Sequence, residues 1–117
     1  MLNKLVRRGN IDTAPWNLEE LIFERGSKEA VTLVKNCGYK VFLITNQPDV
    51  LDGHMTKSAL NDIISLNSMY FGFDEVKVAL NRGQADYKPN TGMVEYLIGK
   101  HKIDVNKSFL IGDSWKD

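Results

Sequence analysis

Six side chains in this sequence have the types and placing to do chemistry together: Thr45, Asn46 and Gln47, then Lys88, then Asp113 and Asp117. The last nine residues, Phe109-Leu110-Ile111-Gly112-Asp113-Ser114-Trp115-Lys116-Asp117, are an apolar run ending in a glycine and an aspartate, with a second carboxylate four residues on. That is the pattern of a strand delivering an acidic site. In open α/β sheets, ligands bind in the crevice beyond the carboxyl ends of the strands. Thr45-Asn46-Gln47, Lys88-Pro89 and Asp113 with Asp117 all stand at strand or loop ends that such an edge would gather. Singly, each has an ordinary explanation: Thr and Asn end strands, Lys-Pro is loop, and Asp caps helices. Order along the chain and a shared sheet edge make them a candidate site.

The elements that must position them alternate between helix and strand. Ser27 can cap a helix with Ala30, Val31, Leu33 and Val34 on its apolar side, and Gly38 supplies the left-handed stop. Tyr39-Lys40-Val41-Phe42-Leu43-Ile44-Thr45 is β-branched and aromatic, as a strand buried on both faces should be. Thr56 can cap the next helix, where Leu60, Ile63, Ile64 and Asn67 recur at helical spacing before Gly72. Glu75 to Leu80 reads as a strand and Asn81 to Asn90 as an irregular loop. Asn90 or Thr91 then opens a helix with Met93, Val94, Leu97 and Ile98, and Ser108 to Ile111 is the last strand. Strands alternating with helices imply right-handed βαβ crossovers and a Rossmann-like α/β fold, a parallel sheet with flanking helices.

With 117 residues, the chain holds one domain, spanning 1–117, and no linker divides it. Fifteen Lys and Arg balance fifteen Asp and Glu, which argues against a nucleic-acid footprint. No apolar run approaches the roughly 18 residues needed to span a bilayer, and the start lacks the apolar core of a secretion signal, so a cytoplasmic address is expected. The lone Cys37 has no internal partner and is expected to be a packed thiol at a helix end. His54 and His101 read as surface or loop histidines.

Taken in order, these residues resemble the haloacid dehalogenase superfamily of phosphohydrolases. Val41-Phe42-Leu43-Ile44-Thr45-Asn46-Gln47 is similar to its second motif, an apolar strand ending in Ser or Thr. Lys88-Pro89-Asn90-Thr91-Gly92-Met93 resembles the lysine motif Lys-Pro-x-Pro-Gly-Met, and Gly112-Asp113-Ser114-Trp115-Lys116-Asp117 resembles the acidic motif Gly-Asp-x-x-x-Asp. The narrower similarity is to the histidinol-phosphatase and heptose-bisphosphate-phosphatase branch, through Thr13-Ala14-Pro15-Trp16-Asn17-Leu18-Glu19-Glu20-Leu21 and Thr45-Asn46-Gln47-Pro48-Asp49-Val50. The resemblance implies a Mg²⁺-dependent phosphatase acting on a small sugar phosphate or related phosphorylated metabolite. It implies that Thr45, Asn46, Gln47 and Lys88 contact substrate, that Thr45 and Lys88 act in catalysis, and that Asp113 binds Mg²⁺ with Asp117 in support.

Three departures qualify what is expected. The family's first motif, Asp-x-Asp-Gly, holds the nucleophile and the acid/base, and the chain contains no Asp-x-Asp; Met1-Leu2-Asn3 resembles only that motif's tail. Asp49-Val50-Leu51-Asp52-Gly53 has one residue too many and follows a turn. The expectation is therefore a fragment, inactive alone and prone to association, whose missing central strand belongs between the strands ending at Thr45 and Gly112. Second, the zinc loop often found in this branch has no counterpart in Arg82-Gly83-Gln84-Ala85-Asp86-Tyr87, so no structural zinc is expected. Third, Ser114 stands where the branch usually has Arg or Lys, which weakens any substrate assignment. Two further classes are weighed against the phosphatase: a non-catalytic phosphate-binding or decayed module, and a receiver-like phosphoacceptor, which the late position of the acidic motif fits poorly.

Overall fold

The computed structural model describes all 117 residues. Its centre is a parallel pair of strands, β3 (Phe42–Asn46) and β4 (Glu75–Ala79), in register from Phe42 opposite Glu75 to Asn46 opposite Ala79. The earlier strands β1 (Val6–Arg8) and β2 (Ile11–Thr13) form a separate antiparallel hairpin, with Gly9 at φ 61° in its two-residue turn. That positive φ suits glycine in a tight hairpin turn.

The crossover from β3 to β4 is α2 (Lys57–Phe71), built as its sequence dictates. Thr56 Oγ1 accepts the Ala59 N–H at 3.0 Å and satisfies one of the orphan donors of the first turn. Gly72 closes the helix in the left-handed conformation, at φ 69°. Leu60, Ile63, Asn67 and Phe71 share the buried face, and the Asn67 amide donates to the Ile63 carbonyl at 2.8 Å. Met55, Leu60 and Ile63 pack with Trp16, Leu21, Val50, Val78 and Leu80, which joins the helix to β4 and to the segment after the hairpin. Helix α3 (Gly92–His101) buries Met93 and Leu97. At the start of the sheet, Asp74 bonds Val41 twice, accepting its N–H at 2.7 Å and donating to its carbonyl at 2.8 Å, which fixes where β3 begins.

Several sequence expectations need correction. Helix α1 (Ser27–Asn36) is preceded by Gly26 at φ 83°, and Ser27 lies inside the first turn, where its hydroxyl donates to the Glu24 carbonyl at 2.7 Å. Cys37 is exposed, because α1 carries no buried residue for its end to pack with. His54 is exposed and stacks on Trp16, but His101 ends α3 half-buried, 2.9 Å from Glu75 Oε1 and 4.7 Å from the Phe42 ring.

The largest correction concerns Ser108 to Ile111, which form no strand; Phe109, Leu110 and Ile111 are 79%, 62% and 75% exposed. A strand exists only when another backbone takes its N–H and C=O groups. β3 pairs with β4 on one side and has no neighbour on the other. The segment from Leu2 to Lys4 does not fill that lane; it pairs with Ile22 to Glu24 instead, through Lys4 N–H to Ile22 O at 2.7 Å and Glu24 N–H to Leu2 O at 2.8 Å. Only nine residues of the 117 are buried, so the core is confined to the faces of α2, α3 and β4. No helix is long and apolar enough to cross a membrane.

Candidate active site

The site forms where β3 runs out. Its ladder with β4 continues one residue past the strand, as the Gln47 N–H donates to the Ala79 carbonyl at 2.8 Å, which holds Thr45, Asn46 and Gln47 in extended order. Gln47 Nε2 donates to Thr45 Oγ1 at 3.1 Å. That bond uses a lone pair of the hydroxyl and leaves its proton free to donate.

Asn46 reaches across to the lysine motif. Its Oδ1 accepts the Lys88 N–H at 2.9 Å and its Nδ2 donates to the Lys88 carbonyl at 3.0 Å, joining residues 42 apart in sequence. The peptide bond between Lys88 and Pro89 is cis. The loop before it is held by its own bonds: Gln84 N–H to Asn81 O, Tyr87 N–H to Gln84 O, and Asn90 Nδ2 to Gln84 O at 3.0 Å.

From that anchored backbone, Lys88 Nζ donates to Asp117 Oδ1 at 2.6 Å, with the two side chains only 17% and 19% exposed. The second oxygen of Asp117 accepts the N–H groups of Asp113 at 3.1 Å and Ser114 at 2.9 Å. The hydrogen bond from Lys88 holds the Asp117 carboxyl below its ordinary pKa, against a smaller opposing effect of burial and with help from the two backbone donors. Gly112 allows this closure: a Cβ there would lie 2.6 Å from Asp117 Oδ2. Asp113 is 71% exposed and its carboxylate lies 3.7 Å from the Met1 amino group.

Side-chain hydrogen bonds thus link Asn46, Lys88 and Asp117 in one chain and Gln47 to Thr45 in a second, the two joined through the backbone of residues 45–47, and Asp113 hangs on their edge. The arrangement offers a hydroxyl donor and an ammonium, which suit a phosphoryl oxygen better than a neutral group, and an open carboxylate, which suits a cation. No group of three or more His, Cys, Asp or Glu side chains that could hold a metal is gathered anywhere. Asp113 is the single carboxylate of the site not already spent on a cation or backbone donors within it. Its hard oxygens suit Mg²⁺ in kind and fall short in number.

A second cluster, which the sequence reading did not assign, holds the loop just after Gln47. Trp16 Nε1 donates to Asp49 Oδ2 at 3.0 Å, the Arg8 guanidinium lies 3.4 Å from the ring centroid, and His54 stacks on Trp16 at 4.9 Å and 3°. Glu20 Oε1 takes both Arg8 Nη2 at 2.6 Å and the Trp16 N–H at 2.9 Å, and the Arg8 bond is the chief reason its carboxyl is held below the usual range. Arg82 grips Asp52 with two parallel bonds of 2.8 and 2.6 Å. Trp16 and Glu20 lie in a stretch singled out by resemblance, yet nothing in it signals a partner 33 residues away.

The chain is 28% identical over 108 residues to the D-glycero-beta-D-manno-heptose-1,7-bisphosphate 7-phosphatase of Helicobacter pylori strain J99, a match covering 85% of the chain and 62% of that protein. It is 25% identical to the enzyme of the same name from Pasteurella multocida, covering 86% and 62%. The chain is similar in sequence to heptose-bisphosphate phosphatases. Consistent with this, its fold superposes with a TM-score of 0.70 on the D,D-heptose 1,7-bisphosphate phosphatase of B. bronchiseptica, solved with magnesium and phosphate, at 22% identity over 85% of the chain and 62% of that structure. The resemblance to haloacid dehalogenase phosphatases is therefore borne out, and so is the Rossmann-like α/β fold with its parallel strands. No family model matches the chain. The chain spans about three-fifths of the length of the relatives it matches (62%).

Proposed function

We propose that these 117 residues carry the phosphate-binding and part of the cation-binding side of a Mg²⁺-dependent phosphatase acting on a small sugar phosphate. The observation that supports this most is that Asn46, the residue after Thr45 at the carboxyl end of β3, is hydrogen-bonded to Lys88, which is itself bonded to Asp117, with Asp113 beside them. In this reading Thr45 donates its hydroxyl proton to a phosphoryl oxygen. Lys88 neutralises the phosphoryl charge, exchanging one partner for another as substrate enters beside Asp117. Such positioning and charge neutralisation are most of what phosphoryl transfer asks of a protein. Asp113 would hold Mg²⁺ together with water and phosphate oxygens, the ion supplying charge neutralisation at the reacting phosphate.

The covalent step of such an enzyme needs a carboxylate that attacks phosphorus, forming a new P–O bond as the ester P–O bond breaks. A second acid protonates the leaving alcohol, and water later hydrolyses the aspartyl phosphate. The 117 residues contain no Asp-x-Asp pair, so in this reading both groups would come from outside them. Heptose bisphosphate is the first substrate to try, because the relatives bear that name.

The same absence supports a second reading, a phosphate-binding module without chemistry. Titrating the chain with inorganic phosphate and following backbone amide signals tests what the two readings share. Shifts at Thr45, Gln47 and Lys88, lost in Lys88→Ala, are expected; signals unmoved at all three would end both. An Asp-x-Asp-Gly stretch encoded in frame upstream selects the enzyme, and unrelated sequence there selects the module.

A further inference from the structure

Of the side chains in the site, Asn46 is the one whose carboxamide oxygen and nitrogen are both engaged by the backbone of another segment. Its carbonyl oxygen accepts the Lys88 N–H at 2.9 Å, and its amide nitrogen donates to the Lys88 carbonyl at 3.0 Å. Both bonds are partly buried, and together they form a two-point clamp on one peptide backbone. Asn46 itself is fixed from behind, being the last residue of β3 and in register with Ala79, a buried residue of β4. The loop that carries Lys88 has no strand or helix of its own from Leu80 to Thr91. The clamp is thus what ties the loop at Lys88 to the sheet. From it, the Lys88 side chain runs to Asp117 Oδ1 at 2.6 Å.

We propose that Asn46 is a positioning residue for Lys88, locking the lysine loop onto the end of β3 so that the ammonium is delivered to the phosphate side of the site. This role is distinct from the substrate contact expected of Asn46 from sequence. What Lys88 is positioned to do rests on the phosphate-site reading; the positioning itself does not.

Only asparagine among the small polar residues can fill both positions, because it carries an acceptor and a donor on one short planar group. Aspartate keeps the acceptor for the Lys88 N–H and loses the donor to its carbonyl. Alanine loses both.

The test is the rate at which the Lys88 amine is acylated in the 117-residue chain, read by mass spectrometry, for the unaltered chain, Asn46→Ala and Asn46→Asp. Exposed Lys57 gives the reference rate, and amide exchange around Ile63 in α2 reports the fold. In the unaltered chain, Lys88 is expected to react more slowly than Lys57. Asn46→Ala should accelerate Lys88 by roughly tenfold, the factor for losing two ordinary hydrogen bonds, with α2 still protected. Asn46→Asp should fall between the two. Unchanged Lys88 reactivity in Asn46→Ala would overturn the proposal, as would Lys88 reacting like Lys57 from the outset. A rise accompanied by lost protection in α2 would overturn it too, since Asn46 would then be holding up the whole fold. Because acylation needs no turnover, a failure of the phosphatase reading leaves these rates unaffected and is seen separately.

Discussion

Phe42–Ile44 and Phe109–Ile111 are similar apolar runs, each followed within two residues by a polar residue of the candidate site, and they meet opposite fates. The first is a half-buried strand paired with β4, and its end is cross-linked to the lysine loop through Asn46. The second is exposed and unpaired, and it delivers Asp113 to solvent. Composition does not separate them; a neighbouring backbone does. β-propensity chiefly expresses how well a residue suits a pleated, half-buried surface, so without that surface it decides little. The chemistry divides along the same line: Lys88 and Asp117 sit in a bonded, shielded pair, while Asp113 waits beyond it.

The sharpest way to break this comparison is at the site, in a version extended upstream to include Asp-x-Asp-Gly. There we expect Lys88→Ala and Asp113→Ala each to lower turnover by about 100-fold or more, in the range found for lost electrostatic stabilisers, with unfolding midpoints scarcely moved. Turnover unchanged in either variant would remove that residue from the chemistry. The next effect lies in the packing. Leu60→Ala, at a side chain only 4% exposed, should cost about 2–4 kcal/mol in urea unfolding. Leu110→Ala should stay within about 0.5 kcal/mol. Equal losses would mean that the segment around Leu110 is packed after all.

Helix starts give a smaller contrast. Thr56→Ala removes a cap that bonds Ala59 and should cost about 1 kcal/mol. Ser27→Ala should cost less, since Ser27 bonds the Glu24 carbonyl from inside its helix and caps nothing.

Smallest is a pH effect. The Glu20 carboxyl is held below the ordinary carboxylate range, first by its hydrogen bond from Arg8. A folded pKa below the unfolded one contributes stability that is fully present above the unfolded value and is lost as pH falls through the folded pKa. The urea midpoint should therefore decline as pH drops below about 4.5, and Arg8→Ala should reduce that slope. A slope identical in the variant would show that the Arg8 pair does not contribute to it.

What the sequence disclosed and what it withheld divide by range. The Thr56 cap, the Gly72 stop and the Leu60, Ile63 and Asn67 face were legible because they depend on residues within a turn or two. Grouping the end of β3 with Lys88 and Asp117 needed the family motifs as well, since no local pattern links Asn46 to Lys88, 42 residues on, or Lys88 to Asp117, 29 further. The stack of Arg8, Trp16 and His54 was illegible for the same reason, with no motif to supply it. Ser108 to Ile111 misled in the other direction: its local preference is for strand, and pairing is not a local property. The role of Asn46 was missed because the sequence reports that an amide is present, and only the geometry tells which groups it serves.

The most direct measurement is phosphatase activity on heptose 1,7-bisphosphate, with and without Mg²⁺, for the 117-residue chain beside the version extended to include Asp-x-Asp-Gly. We expect hydrolysis only from the extended version and only with Mg²⁺, as a site divided between this chain and an outside nucleophile requires. Magnesium-dependent hydrolysis by the 117 residues themselves would contradict this, because a carboxylate already present would have to be the nucleophile.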